Sequence, residues 1–418
     1  MLGSNVWRRA LGVDRATVIE SVDFDEEANS VVIHVRPRRP TKRRCGRCGR
    51  RSPGYDQGEG RRNWRAMDLG VLVCYLQADA PRVNCPTHGP TVAQVPWARH
   101  GAGHTYDFDD QVAWLVTHTS KSAVAQLLRV AWRTVGSIIT RVVTDARAAT
   151  DPFDGLRRIG IDEISYRKGH KYLTVVVDHD SGRLVWVAVG RDKATLESFF
   201  DLLGAERSAL IRLVSADAAE WIATVVAERC PNATLCADAF HIVQWATRAL
   251  DEVRKHIWRD AKRMNAPGLV AHLKGCRYAL LKNPEHLTDR QQGSLANVAR
   301  VNNSLYRAYL LKEQLRLVFQ QRGRPAIRAL DGWISWARRC RIPAFVDLSR
   351  RIQRHRASII ATLTNEGLSN ALVESTNTKL RLLTRVAYGF KSTDNLIALC
   401  LLDRGGYCPP LPGRQKVA

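Results

Sequence analysis

The order of apolar runs between Leu156 and Ala237 leaves room for one kind of architecture. Ile159–Ile161, Tyr172–Val177 and Leu184–Val189 have strand character, and the link Asp178–Gly182 has turn chemistry, so the second and third runs predict a hairpin. A helical period follows over Ala194–Leu203, then a strand over Ile211–Ser215, a helix over Ala219–Glu228 and a strand over Thr234–Ala237. The order βββαβαβ requires a mixed sheet covered by helices. From about 240 to 365 the pattern turns almost wholly helical and basic. A last helical stretch, Asn370–Val386, precedes a Pro/Gly-rich tail.

Two smaller regions come before this core. Residues 1 to about 105 are strand-rich, with an alternating ribbon at Val31–Val35 and an apolar run at Val71–Leu76. Residues 106–150 repeat apolar positions at helical spacing: Val112, Leu115 and Val116, then Val124, Leu127 and Leu128, then Val135, Ile138 and Ile139. With 418 residues the chain is long for one domain.

Charge narrows the partner. Lys and Arg number 64 against 40 Asp and Glu, a net +24 spread over the whole chain. Such an excess attracts polyanions, nucleic acid first among them. No apolar run reaches the ~18 residues of a membrane span, and no secretory signal is evident. The ten cysteines are scattered, so the expectation is a reduced, soluble, cytoplasmic protein associated with the nucleoid rather than a disulfide-bonded one.

Cys45-Gly46-Arg47-Cys48 and Cys85-Pro86-Thr87-His88 are two knuckles, each placing two ligands within reach of one ion. Together they predict a tetrahedral Cys₃His zinc site, with Cys74 as the competing thiol. Arg43, Arg44, Arg47, Arg50 and Arg51 crowd the first knuckle. Lys121–Arg141 reads as a helix-turn-helix: Val124, Ala125 and Leu128 face inward from the first helix, Val135, Ile138 and Ile139 from the second. Arg133, Thr134 and Ser137 would then point toward a major groove. Its turn carries Arg129 where glycine is usual, and Ala131 is a poor N-cap.

Carboxylates define the third region. Asp162 would lie just after strand one and Asp217 just past strand four, two positions that a mixed sheet can bring to one edge. Glu374, early in the last helix, supplies a third acid, with Thr378, Arg381 and Arg385 along the same face. Three such oxygen donors suit a pair of divalent cations and phosphoryl transfer. The competing reading makes Asp162 a strand-end cap with Glu163 the important acid, and Asp217 a helix cap. Asp238-Ala239-Phe240-His241 forms a D-x-x-H at the end of strand five, read as support for the site.

Arg158–Tyr172 resembles the opening catalytic stretch of DDE transposases of the ISL-three type. Ala237–Val243, Leu305–Arg316 and Leu368 through Glu374–Asn377 to Phe390 are similar to the same family, and the zinc and helix-turn-helix segments stand in its order. The resemblance implies an RNase H-like core interrupted by an all-helical insertion, with Asp162, Asp217 and Glu374 as the DDE triad and Asp238 and His241 as its D-x-x-H element. It divides the chain into a zinc module (1–105), a helix-turn-helix (106–150), the first part of the core (151–243), the insertion (244–364) and the final catalytic helix with its tail (365–418). The expectation is an insertion-sequence transposase using two Mg²⁺ or Mn²⁺ ions and structural Zn²⁺. Its partners would be double-stranded DNA, as terminal inverted repeats and target, and further copies of itself. A zinc-containing regulator with a non-catalytic core is the alternative, and a stand-alone nuclease a third.

Overall fold

The computed structural model describes residues 4–167, 169–365, 371–387 and 392–414. Lys168, Leu368–Asn370 and Tyr388–Phe390, all within the stretches singled out above, lie outside the described residues. The chain divides into two units, residues 1–152 with 382–418, and residues 153–381.

In the first unit, helix α1 (Ser4–Ala10) precedes seven strands: β1 (Thr17–Asp25), β2 (Ser30–Pro37), β3 (Gly54–Asp56), β4 (Arg61–Arg65), β5 (Val73–Asp79), β6 (Arg82–Cys85) and β7 (Gly89–Val92). They form a four-stranded sheet in the order β1-β2-β5-β4 and a three-stranded sheet β3-β6-β7. The alternation seen in the sequence buries Val31, Ile33 and Val35 against Cys74, Leu76 and Trp64, whose ring meets Trp97 edge-on at 5.5 Å.

Helices α2 (Tyr106–Val116), α3 (Lys121–Leu127) and α4 (Trp132–Ala149) follow. Thr105 caps α2 through the Phe108 N–H and Ser120 caps α3 through the Ala123 N–H, each satisfying a donor that the first turn leaves open. Val124, Leu128, Val135, Ile138 and Ile139 are buried as the periodicity requires, and Ala125 is half-buried. Leu127 departs from it: Leu128 takes the inward position on this short helix, and Leu127 is 62% exposed. Arg129 occupies the turn at φ +55°, the left-handed region usually given to glycine. Its guanidinium holds that conformation by pairing with Asp68 and donating to the Val71 carbonyl at 3.0 Å.

The second unit opens with β8 (Arg158–Arg167), β9 (Lys171–Asp178) and β10 (Leu184–Val189), then α5 (Lys193–Leu203), α6 (Ala205–Ser208), β11 (Leu213–Ala216), α7 (Glu220–Arg229) and β12 (Thr234–Ala237). The sheet order is β10-β9-β8-β11-β12, antiparallel across β10, β9 and β8 and parallel across β8, β11 and β12. This is the mixed sheet that the βββαβαβ order implies. Ile159, Ile161, Val176 and Val214 on one face pack against Phe199, Phe200, Ile222 and Val225. The first strand is longer than its apolar run: pairing with β9 continues to Arg167, so Asp162 lies inside the strand rather than after it. The Asp162-Glu163 pair breaks the hydrophobic run without breaking the ladder.

Eight helices come next: α8 (Ala239–Arg263), α9 (Pro267–Gly275), α10 (Arg277–Leu281), α11 (Asp289–Val301), α12 (Asn303–Val318), α13 (Gly323–Arg339), α14 (Pro343–Arg354) and α15 (Arg356–Thr364). No strand occurs among the described residues here, as the helical reading of 244–364 requires. Their shared core is built from Ile242, Leu250, Leu315, Trp333 and Phe345, and the buried Trp333 indole donates to the Leu311 carbonyl at 2.7 Å. Helix α16 spans Ala371–Val386, and α17 spans Thr393–Arg404. The latter is a departure from the expected tail. Leu396, Leu399 and Cys400 of α17 are buried, and Asn395 accepts from Thr140 of α4 at 3.2 Å.

Candidate active site and DNA-binding elements

Register lines up three acids. On the parallel strands Ile161 pairs with Ala216, and Ala216 with Ala237. The next residue on each strand line is Asp162, Asp217 and Asp238, so the three aspartates follow one another across neighbouring strand positions about 4.8 Å apart, with Asp217 in the middle. Strands β11 and β12 stop there, which opens the row at their carboxyl ends. Asp238 is the N-cap of α8, accepting from the Phe240 N–H at 3.0 Å, and its other oxygen meets His241 Nδ1 at 2.6 Å.

Helix α16 crosses this row. Val373 lies over Gly160, where even a Cβ would come within 2.4 Å of it, and the Asn377 amide donates to Asp162 Oδ2. Glu374 is in the first turn of α16 and exposed. Burial pushes the Asp162 carboxyl above the usual carboxylate range, and the nearby Asp238 charge adds to it. Glu374 is raised for the same reasons, by desolvation and then by the charges of Asp238 and Asp162. His241 moves up to about 9, held protonated by its hydrogen bond to Asp238, against burial, and by the charges of Asp217, Asp238 and Asp162.

The competing assignments lose ground on this geometry. Among the described residues Asp217 bonds only the adjacent Ala218 N–H, at 2.7 Å, while α7 begins beyond it with Ala219 as an N-cap that makes no side-chain bond. Glu163 is on the opposite side of β8 from Asp162 by strand alternation, and is ion-paired to Arg191. Among the described residues, neither Asp162 nor Asp217 forms an ion pair with lysine or arginine. Two neighbouring oxygen donors without a lysine or arginine ion pair fit a hard divalent cation. The acids are less tightly gathered than the zinc knuckles, which form the one cluster of His, Cys, Asp or Glu ligand atoms within 4.8 Å of each other among the described residues.

In that cluster Cys45 Sγ and Cys85 Sγ each lie 3.6 Å from His88 Nδ1, and Cys48 Sγ lies 3.7 Å from Cys85 Sγ. A tetrahedron with zinc–sulfur bonds of about 2.3 Å and a zinc–nitrogen bond of about 2.0 Å has edges of roughly 3.5–3.8 Å. The donors therefore fit zinc, and the hairpin β6–β7 supplies two of them, Cys85 and His88. Burial opposes ionisation of Cys85, but the Thr87 and His88 N–H groups bring its thiol down to about 6. Cys74 is inside the four-stranded sheet, its thiol pushed up to about 12 by burial. Arg43, Arg44, Arg47, Arg50 and Arg51 are all exposed around the first knuckle. On α4, Arg133 and Ser137 are exposed and Thr134 half-buried; Arg381 and Arg385 are exposed on α16.

Two features escaped the sequence reading. Asn377 sits one turn beyond Glu374, inside a stretch that resembles the family but without a role assigned to it. Arg351, on α14, lies 3.5 Å from the Trp245 ring centre and within electrostatic reach of Asp217, close to Arg248 and Arg354. Only the fold brings them to the acid row.

Three stretches of the chain match family models. Residues 41–88 match the zinc finger of transposases IS204, IS1001, IS1096 and IS1165; residues 93–143 match the helix-turn-helix domain of transposase family ISL3; residues 159–400 match the ISL3 DDE transposase domain. The fold and its DNA-binding modules are thus those of a transposase. The chain belongs to the ISL3 family of these DNA-cleaving and DNA-transferring enzymes. It is 57% identical to the transposase for insertion sequence element IS1557 of Mycobacterium tuberculosis over 100% of this chain and 99% of that protein, in strains CDC 1551 and H37Rv alike. It is also 25% identical to the transposase for IS1001 of Bordetella parapertussis, covering 90% of this chain and 92% of that one. No helix among the described residues is long and apolar enough to cross a membrane.

Proposed function

We propose that the chain binds the terminal inverted repeats of its element, cleaves them hydrolytically and joins the freed 3′-hydroxyl to target DNA. The observation that carries this reading is the register of Asp162 and Asp217 on adjacent parallel strands, with Glu374 of α16 brought to the same row. In this reading Asp162, Asp217 and Glu374 hold two Mg²⁺ or Mn²⁺ ions, and the Asp238–His241 pair supports them. Divalent cations bound there supply charge neutralisation for the attacking and leaving oxygens of phosphoryl transfer. The chain's own contribution is alignment. Strand pairing fixes Asp162 beside Asp217, and protonated His241 offsets part of the negative charge that the acids accumulate.

Cys45, Cys48, Cys85 and His88 hold the structural zinc, while Arg133, Thr134 and Ser137 of α4 read the repeat in its major groove. Arg381 and Arg385 extend a basic face along α16. The domain limits 1–105, 106–150, 151–243, 244–364 and 365–418 describe the division of labour. Two ends of one element must be handled together, so the working species is a homodimer or higher oligomer on DNA within the nucleoid.

The deciding experiment measures Mn²⁺-dependent cleavage and joining of DNA carrying the flanking inverted repeats, for wild type and Glu374→Ala. Loss of both activities in the variant with end binding retained is the expected result. Cleavage without joining by the wild type would make the protein a nuclease; specific binding without cleavage under any metal would make it a regulator.

A further inference from the structure

Asn377 has no assigned part in this site, yet its placement is expensive. The residue is 2% exposed, its amide nitrogen donates to Asp162 Oδ2, and its Oδ1 is buried without a hydrogen-bond partner among the described residues. A buried amide with one half unsatisfied weakens a fold. An apolar side chain of similar size would pack there at less cost. Residues that violate local stability rules in this way concentrate at functional sites. The contact also spans two elements: Asn377 is one turn past Glu374 on α16, and Asp162 is on β8. Val373, on the preceding turn, is in close apposition to Gly160 of the same strand.

We propose that Asn377 is a positioning residue that fixes the Asp162 carboxylate and, with it, the seat of the helix carrying Glu374. One carboxylate oxygen is taken by the Asn377 amide and the other accepts from the Glu163 N–H at 2.7 Å, so the group cannot rotate about its last bond. Alignment of this kind is what phosphoryl transfer depends on. The inference rests on the reading that Asp162 and Glu374 hold divalent cations.

The test uses the full-length protein with Asn377→Leu, near in size but unable to donate. Four quantities are read: melting temperature, affinity for end DNA, Mn²⁺ affinity by isothermal titration calorimetry, and kcat against KM for end cleavage. The melting temperature should hold or rise, and DNA affinity should stay within about two-fold. Mn²⁺ affinity and kcat should each fall by about 10–100-fold, the usual loss when a carboxylate ligand's hydrogen-bond partner is removed, with KM little changed. Unaltered Mn²⁺ affinity and kcat overturn the proposal. So does loss of the melting transition in both Asn377→Leu and Asn377→Ala, which would make the residue structural. Asp162→Ala separates the levels. If it leaves Mn²⁺ binding and cleavage intact, the cation-site reading fails; if it abolishes them while Asn377→Leu behaves as wild type, only the role of Asn377 fails.

Discussion

Substituting alanine for Gly160 tests whether α16 is seated on the sheet by close contact. A Cβ at this position would lie 2.4 Å from Val373 Cγ2, 2.9 Å from His179 Nε2 and 3.2 Å from Ser215 Oγ. Ordinary contact begins at 3.4 Å, so Val373 must retreat by about 1 Å and take the start of α16 with it. Overpacking of this size costs about 1–3 kcal/mol, and a unit of this length melts roughly 2–4 °C lower per kcal/mol. Because Glu374 follows Val373 directly, a shift of about 1 Å should reduce end cleavage about 100-fold. Val373→Ala removes the Cγ2 that the new methyl strikes. The Gly160→Ala/Val373→Ala double variant should therefore be more stable than the sum of its parts by at least about 1 kcal/mol and recover part of the activity. The measurements are thermal unfolding of the four proteins of the cycle and their Mn²⁺-dependent cleavage rates. Additivity within about 0.5 kcal/mol, or wild-type cleavage by Gly160→Ala, would refute the seating argument.

Other substitutions probe the remaining elements. Cys48→Ser should remove the zinc found by elemental analysis of the purified protein and make residues 41–92 susceptible to proteolysis, since a small module of this kind depends on its metal. Arg133→Ala should weaken binding to inverted-repeat DNA by about 1–3 kcal/mol relative to wild type, measured by fluorescence anisotropy, while a scrambled duplex loses less. Lys121 is buried with its amine 3.4 Å from the centre of the Trp132 ring and, among the described residues, without a hydrogen-bond acceptor, and burial pulls it down to about 8 from its ordinary 10.5. Between these values the unfolded chain holds a proton that the folded one has released, so stability rises with pH across that window. Lys121→Met should flatten that rise in a comparison of melting temperatures and stabilise the protein at pH 7.

Much of this architecture is legible in the chain. Three short runs, a hairpin turn and alternating helices suffice for the mixed sheet, and two knuckles suffice for a four-donor cluster with edges near 3.7 Å. What stays hidden is what depends on partners. Asp162 interrupts an apolar run and so reads as lying past its strand, but the β9 ladder carries β8 on to Arg167. Leu127 reads as inward because a seven-residue helix has too little period to separate it from Leu128. Helix α17 is followed by the breaker-rich segment Gly405–Gly413, and its apolar face is explained by α4, against which it packs.

The acid row shows the same limit at the site itself. Asp162, Asp217 and Asp238 are 55 and 21 residues apart in the chain, and no local pattern ranks them. Parallel pairing does, because Ile161, Ala216 and Ala237 share one register and each is followed by an aspartate. Asp238 is nonetheless set apart from the other two by a cationic partner: among the described residues it is the one aspartate of the three paired to a basic side chain, His241. As N-cap of α8 it accepts from the Phe240 N–H and pairs with protonated His241, whereas Asp162 is held by two neutral donors, the Asn377 amide and the Glu163 N–H, and Asp217, among the described residues, accepts only from the Ala218 N–H. An acid already satisfied by a cap and an imidazolium is poorly placed to give up those partners for a cation. That asymmetry favours a triad completed by Glu374 from α16 over one completed by Asp238, although Asp238 is the nearer acid to Asp217 along the sheet.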